Sequence, residues 1–209
     1  MRIPTIVLYG PPGAGKSTAS RAIADTFDNI HPLALGDLVR LMIDSGNEPH
    51  ASQFRETVSR GELLDDETAT ELLRGYINLA QYEGTLHNRS ILLLDGFPRT
   101  VTQAHKGSAF LDYLCLLHFD GLPFGKIRKR IKNRAWNENN GRSDNTADAI
   151  THRLSAYETH RPTVLSYFAQ NSAVTAIEPR SRPVVEDDVK DATRRVLSVF
   201  EYRDSHHNL

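Results

Sequence analysis

GPPGAGKST, residues 10–18, follows directly on the apolar run IVLY at residues 6–9. The spacing of Gly10, Gly15, Lys16 and Ser17 fits the phosphate-cradling pattern G-x-x-x-x-G-K-[ST]. Gly10, Gly13 and Gly15 let the backbone turn tightly and aim successive N–H groups, including those of Ala14 and Thr18, into one concavity. A helix starting near Lys16 adds the positive end of its dipole. In such a loop the lysine reaches β- and γ-phosphate oxygens and the hydroxyl of Ser17 binds Mg²⁺. A chance Gly-rich turn would lack the flanking context. Here an apolar strand precedes the loop and the amphipathic run STASRAIADTF (17–27) follows it, with Ala19, Ile23, Ala24 and Phe27 able to face inward.

Working outward, short strand-like apolar runs recur at 3–9, 30–35, 91–94, 113–119 and 173–177, and helical patterns lie between them at 17–27, 37–45, 51–60, 66–82, 100–107, 123–137, 146–170 and 186–200. Alternation of nearly continuous apolar strands with helices predicts a parallel sheet covered on both faces. In such sheets ligands gather at the carboxyl ends of the strands. Asp65 or Asp66 can cap the long 66–82 helix, and Gly84 follows its end. The 209 residues suit one core with small insertions. A net charge of −1 gives no global drive toward nucleic acid or an anionic membrane, so neither is an expected partner. The single cysteine, Cys115, excludes an internal disulfide and a zinc site needing several thiolates, so zinc is not expected. No run approaches the roughly 18 apolar residues of a membrane helix. A cytoplasmic monomer is the expectation.

Three charged motifs fall near the predicted ligand edge. ILLLDGFPRT (91–100) delivers Asp95 to a strand end, where a carboxylate can hold Mg²⁺ or its water shell; Gly96 and Pro98 then turn the chain, and Arg99 suits bidentate binding of a second phosphate group. LGDLVR (35–40) places Asp37 to cap a helix and Arg40 one turn into it, with Gly36 allowing close approach. KIRKRIKNR (126–134), with GRSDN (141–145) and THRLSAYETHRP (151–162), supplies Arg130, Arg134, Arg142 and Arg153. A basic run is usually a solvated face. Beside a phosphate loop, however, arginines answer the need of phosphoryl transfer to neutralise the γ-phosphoryl oxygens, a contribution of about 10³–10⁵ in rate.

Taken together, GPPGAGKST, GDLVR, DGFPRT…Q and GRSDN…HR resemble the adenylate kinase family of nucleoside monophosphate kinases, in order and spacing over roughly residues 3–200. The resemblance implies an α/β P-loop fold with a five-stranded parallel sheet, a core of 1–35, 67–133 and 146–209, an acceptor-binding helical insertion at 36–66 and a short lid at 134–145, of the kind shared with uridylate–cytidylate kinases. It implies reversible transfer from ATP·Mg to a monophosphate, AMP above all. By motif, Lys16 is the P-loop lysine, Ser17 approaches the metal, Asp95 organises Mg²⁺ through water and Asp37 supports that shell. Arg40 and Arg99 grip the acceptor phosphate, Arg134, Arg142 and Arg153 close on the transferring group, and Arg130 stacks on the donor adenine. The turn PRSRPV (179–184), with Arg182, resembles the loop whose backbone reads that adenine.

Two positions depart from the family pattern. Leu35 stands where a threonine hydroxyl usually helps read the acceptor base, while Gln103 matches the glutamine that reads adenine. Trp136 stands with an acid nearby where short-lid relatives often carry lysine or glycine. The alternatives are a pyrimidine or broad-specificity monophosphate kinase, against which Gln103 argues, and a nucleotide-binding module without turnover, against which Lys16, Asp95 and the arginines argue.

Overall fold

The computed structural model describes residues 2–46, 50–87, 89–137 and 146–177 together with Lys190, Thr193, Arg194, Leu197 and Ser198; the side chains of His50, Phe124 and residues 132–137 stand outside that description. The strands are β1 (Ile3–Tyr9), β2 (Ile30–Ala34), β3 (Ile91–Asp95), β4 (Leu111–Phe119) and β5 (Ala173–Ile177). All pair in parallel in the order β2-β3-β1-β4-β5. The helices are α1 (Lys16–Ala24), α2 (Leu35–Asp44), α3 (His50–Arg60), α4 (Asp66–Tyr82), α5 (Val101–Gly107), α6 (Phe124–Asn137) and α7 (Ala147–Asn171).

The apolar strands are continuous because both sheet faces are covered. Ile6 and Leu8 of β1 pack with Ala19 and Ile23 of α1, while Val7 and Tyr9 pack with Ala104 of α5 and Val164 and Phe168 of α7. Ile6, Val7, Leu92, Leu93, Leu94, Leu116 and Leu117 are fully buried. Each such side chain contributes about 1.5–3 kcal/mol relative to exposure. Cys115 lies in this core with its thiol pushed up to about 12 by burial, so it stays protonated and apolar in behaviour.

The helix ends show local chemistry. Asp65, not Asp66, caps α4, its carboxylate accepting from the Thr68 N–H, and this contact lowers its pKa. Asp37 is not a cap. β2 runs straight into α2 with Ala34 at the N-cap position and no side-chain cap, so Asp37 falls inside the first turn, where its charge still favours the helix dipole. The helix begins two residues earlier than the sequence spacing indicates because no loop separates it from the strand.

Register decides what meets at the carboxyl edge. Leu8 of β1 and Ala34 of β2 both lie opposite Asp95, and Tyr9 lies opposite His118 of β4. The segments leaving β1, β2 and β3 (Gly10, Leu35 and Gly96) therefore start side by side.

Candidate active site

The loop after β1 is built by glycine. Gly10, Gly13 and Gly15 have φ of 152°, 78° and 102°, a region other residues rarely occupy. A Cβ on Gly10 would stand 2.6 Å from the Phe119 carbonyl oxygen, and one on Gly13 would stand 2.9 Å from Ile131 Cγ1. The second contact shows α6 leaning on the loop through Ile127 and Ile131; Arg130, on the same helix, is half-buried. Gly15 sits at the N-cap of α1, and Ala14 N–H donates to the Pro11 carbonyl, closing the turn. Ala14 is buried and Thr18 exposed.

Lys16 curls back over this loop. Its Nζ donates to the carbonyls of Gly10 (2.9 Å) and Pro11 (3.0 Å) and lies 3.9 Å from Asp95. Burial lowers its pKa; the Asp95 carboxylate opposes that shift and Arg99 adds to it. Ser17 Oγ lies 3.4 Å from Asp95 Oδ2. A hydroxyl and a carboxylate at adjoining positions form a hard oxygen donor pair, suited to Mg²⁺ with the rest of its shell from water and phosphate.

Arg99 follows the cis Phe97–Pro98 peptide. Solvent reaches its guanidinium although protein surrounds it, the situation of a side chain in a cleft. Burial pulls its pKa down, Asp95 raises it, and the charges of Arg153 and Arg40 lower it further. Arg40 of α2 and Arg153 of α7 thus each lie near enough for their charges to act on Arg99 in the β3–α5 turn. Arg99 Nε donates to the Gly96 carbonyl at 3.0 Å. Arg40 pairs with Asp37, and its guanidinium lies over the face that Gly36 leaves open, with Nη1 3.6 Å from where a Cβ would sit. Asp37 is thus engaged with Arg40, while Ser17 and Asp95 come together without it.

Leu35 is buried among Leu33, Leu38, Leu94 and Phe97, and its Cβ lies 3.8 Å from where a side chain on Gly96 would begin. Gln103 is 2% exposed, and its Oε1 accepts the Arg99 backbone N–H at 2.8 Å. Arg134 lies in the last turn of α6 with its side chain outside the described residues. Arg142, Arg182, Trp136 as a side chain, the 138–145 part of the lid and the 179–184 turn also lie outside them.

Sequence reasoning missed several neighbours. Thr100 Oγ1 accepts from the Gln103 N–H and donates to Asp66; the signal was present as the T-x-x-Q spacing at 100–103, although the Gln103 side chain reaches back to the Arg99 N–H and not to that of Thr100. Tyr9, immediately before the loop, holds the one buried side-chain polar atom without a hydrogen-bond partner among the described residues, and burial pushes its phenol pKa up. His118 shares a 2.9 Å hydrogen bond with Tyr157 of α7, one turn after Arg153, which fastens that helix to β4. No sequence pattern announces such a contact.

A glycine-built loop, a carboxylate at the neighbouring strand end and arginines whose charges act on Arg99 lie at one edge of the sheet. A family model described as adenylate kinase matches residues 8–173. The chain belongs to the adenylate kinase family. Relatives named adenylate kinase include proteins of Methylobacterium nodulans, 32% identical over 92% of this chain and 95% of the relative, and of Synechococcus, 30% identical over 94% and 98%. One from Xanthomonas oryzae pv. oryzae is 29% identical over 83% and 89%. This adenylate kinase family member is therefore a phosphotransferase of the nucleoside monophosphate kinase type, and its five-stranded parallel sheet matches the architecture expected from sequence. Among the described residues no helix is long and apolar enough to cross a membrane.

Proposed function

We propose that the chain transfers the γ-phosphoryl group of ATP to AMP, reversibly, at the carboxyl edge of its sheet. The observation that carries this reading is the meeting of Lys16, Ser17 and Asp95 at the phosphate loop, with Arg99 held at the neighbouring Gly96 and the charges of Arg40 and Arg153, from two further elements, acting on it. Like charges held together in a cleft gain from an anion that they grip jointly. The loop Gly10–Thr18 holds the donor phosphates, and Lys16 exchanges its two carbonyl partners for phosphate oxygens. Arg99 and Arg40 hold the acceptor phosphate, joined by Arg153 and, by resemblance, Arg142; these last two also reach the transferring group, which Arg134 by resemblance helps neutralise. Arg130 stacks on the donor adenine, and Arg182 belongs by resemblance to the turn that reads it.

An oxygen of the acceptor phosphate bonds to the γ-phosphorus as the bridge to the β-phosphate breaks, leaving two diphosphates. The attacking oxygen is already anionic, so no general base is required, and catalysis rests on positioning and charge. Ser17 and Asp95 would hold Mg²⁺, which supplies charge neutralisation on the β- and γ-oxygens when bound with ATP. Asp37 orients that shell only by giving up Arg40. The acceptor-binding insertion comprises 36–66 and the lid 134–145, and their closure excludes the water that would otherwise hydrolyse ATP. Gly36, Leu35, Gly96 and Gln103 surround the acceptor, with Gln103 reading adenine. We take the enzyme to be a cytoplasmic monomer, acting on free nucleotides.

Diphosphate formation from ATP·Mg with AMP, dAMP, CMP, UMP and GMP in parallel, beside an acceptor-free control, tests this function. Turnover led by AMP is the expected result. Turnover led by a pyrimidine or by GMP overturns the acceptor assignment, and ATP binding without turnover on any of them overturns the kinase reading.

A further inference from the structure

The Arg99–Gln103 pair has a foundation outside itself. Thr100, between them, occupies the N-cap of α5, and its Oγ1 accepts from the Gln103 backbone N–H at 3.1 Å. That hydroxyl has one hydrogen, and it goes to Asp66 Oδ1 at 2.7 Å. A carboxylate has no hydrogen to offer, so it fixes the direction of the Thr100 O–H and thereby aims the oxygen's remaining lone pairs at the α5 N-terminus. The charge of Asp66 also faces the positive end of α5, a favourable placement. Gln103 closes the circle, its side-chain Oε1 accepting from the Arg99 N–H at 2.8 Å. Arg99 is held once more at its side chain, where Nε donates to the Gly96 carbonyl. Four hydrogen bonds thus run from Asp66 through Thr100 and Gln103 to Arg99 and Gly96.

Asp66 belongs to a different part of the chain. It opens α4, the helix that follows α2 and α3, and its own carbonyl accepts from Thr70 Oγ1 at 2.6 Å. The next residue, Glu67, reaches Lys106 near the other end of α5. Two adjacent acids on α4 therefore touch α5 at its two ends. Only the first touches the end that carries Arg99 and Gln103. Simple docking of the two helices is served by either contact, whereas orientation of the Thr100 hydroxyl is served by Asp66 alone.

We infer that Asp66 is a positioning residue for acceptor binding: through the Thr100 hydroxyl it sets Arg99 and Gln103 together, so that phosphate grip and base reading are tuned by the point where the helical insertion rejoins the core. The inference rests on the acceptor-site reading of Arg99 and Gln103.

The experiment compares Asp66→Asn, Thr100→Val, Thr100→Ser and Glu67→Gln with the parent enzyme, measuring KM for AMP, KM for ATP, kcat, the AMP:CMP ratio of kcat/KM, and thermal unfolding. Asp66→Asn keeps the shape but replaces the charged acceptor, and Thr100→Val removes the hydroxyl. Both are expected to raise KM for AMP about tenfold and to lower the AMP:CMP ratio, with KM for ATP unchanged, as the loss of one charge-assisted hydrogen bond implies. Thr100→Ser restores parent values, and Glu67→Gln leaves the AMP parameters at parent values. The effects of Asp66→Asn and Thr100→Val do not add in the double variant, because both cut one chain of contacts. The inference is overturned if Asp66→Asn changes only thermal stability, if it raises both KM values alike, or if Glu67→Gln shifts KM for AMP equally. Arg99→Ala, run alongside, separates the two failures. If Arg99→Ala raises KM for AMP and Asp66→Asn does not, the relay is wrong and the acceptor site stands; if neither does, the acceptor site itself is wrong.

Discussion

In the proposed reading, the donor cradle and the acceptor grip are made in opposite ways. The cradle is one contiguous segment, Gly10–Thr18, shaped by backbone: positive-φ glycines, a turn closed by Ala14 and a lysine hydrogen-bonded to its own loop's carbonyls. The grip is assembled from α2, α7 and the β3–α5 turn, and its arginines are placed by side-chain contacts such as Arg40 with Asp37 and Arg99 with the Gly96 carbonyl. A backbone cradle is ready before its ligand arrives. A grip of separately mounted charges depends on how its mounts pack, so changes remote from the ligand reach it.

Replacing Lys16 attacks the cradle directly. Lys16→Met keeps the length of the side chain and removes the charge that follows the γ-phosphoryl group, and kcat is expected to fall about a thousandfold. Thermal stability should fall, since Asp95 and the Gly10 and Pro11 carbonyls lose their largely buried partner. Stopped assays and a melting curve on one preparation check both statements, and near-parent kcat would show that Lys16 does not face the reacting phosphate.

Gly61 exposes the dependence of the grip on packing. At φ 71° it lets the end of α3 approach α7 so closely that a Cβ would stand 2.3 Å from the Ala149 carbonyl oxygen. Gly61→Ala forces those backbones apart, costing about 1–3 kcal/mol of stability. Because α7 carries Arg153, KM for AMP should rise while ATP affinity stays put. Equal loss of both affinities in steady-state kinetics would break the separation between the two regions.

Leu35→Thr is expected to act more gently. A hydroxyl next to Gly96 offers one polar partner to an acceptor base, and the AMP:CMP ratio of kcat/KM should rise about fivefold to tenfold. An unchanged ratio removes Leu35 from base recognition and leaves it a core residue, as its apolar surroundings would also allow.

The smallest effect concerns pH. Burial holds both His118 and His31 below their ordinary value of 6.5. As pH falls below about 6.5 the unfolded chain takes up these protons before the folded one, so stability declines toward acid and is recovered as pH rises. His118→Phe removes one of the two and should flatten the dependence of the urea midpoint between pH 7.5 and 5.5. A slope equal to the parent's would show that His118, and with it the anchoring of Tyr157, takes no part.

The same contrast explains what could be read from the sequence. The cradle was legible in full because its residues are contiguous and each glycine has a geometric duty. The central strands β1, β3 and β4 were legible because burial on both faces leaves continuous apolar runs, and the mostly exposed edge strand β5 still shows the short apolar run AVTAI. Asp37 misled: its type suits a cap, but the cap position depends on where β2 stops, which is set by pairing with β3. Gln103 matched a family position by type, but its structural contact was hidden, since Oε1 serves the Arg99 backbone. The Asp66–Thr100 contact joins residues 34 apart in the chain and leaves no periodic trace.

Crossed binding measurements test the central claim, that donor and acceptor phosphates are held by separate devices. Calorimetric titration of ATP and, independently, of AMP into Lys16→Met and Arg99→Ala gives four affinities. Arg99→Ala should weaken AMP about 10–100-fold and leave ATP within about twofold, while Lys16→Met weakens ATP and spares AMP. If Arg99→Ala instead weakens ATP, or weakens both ligands alike, the two regions are one site and the account is wrong.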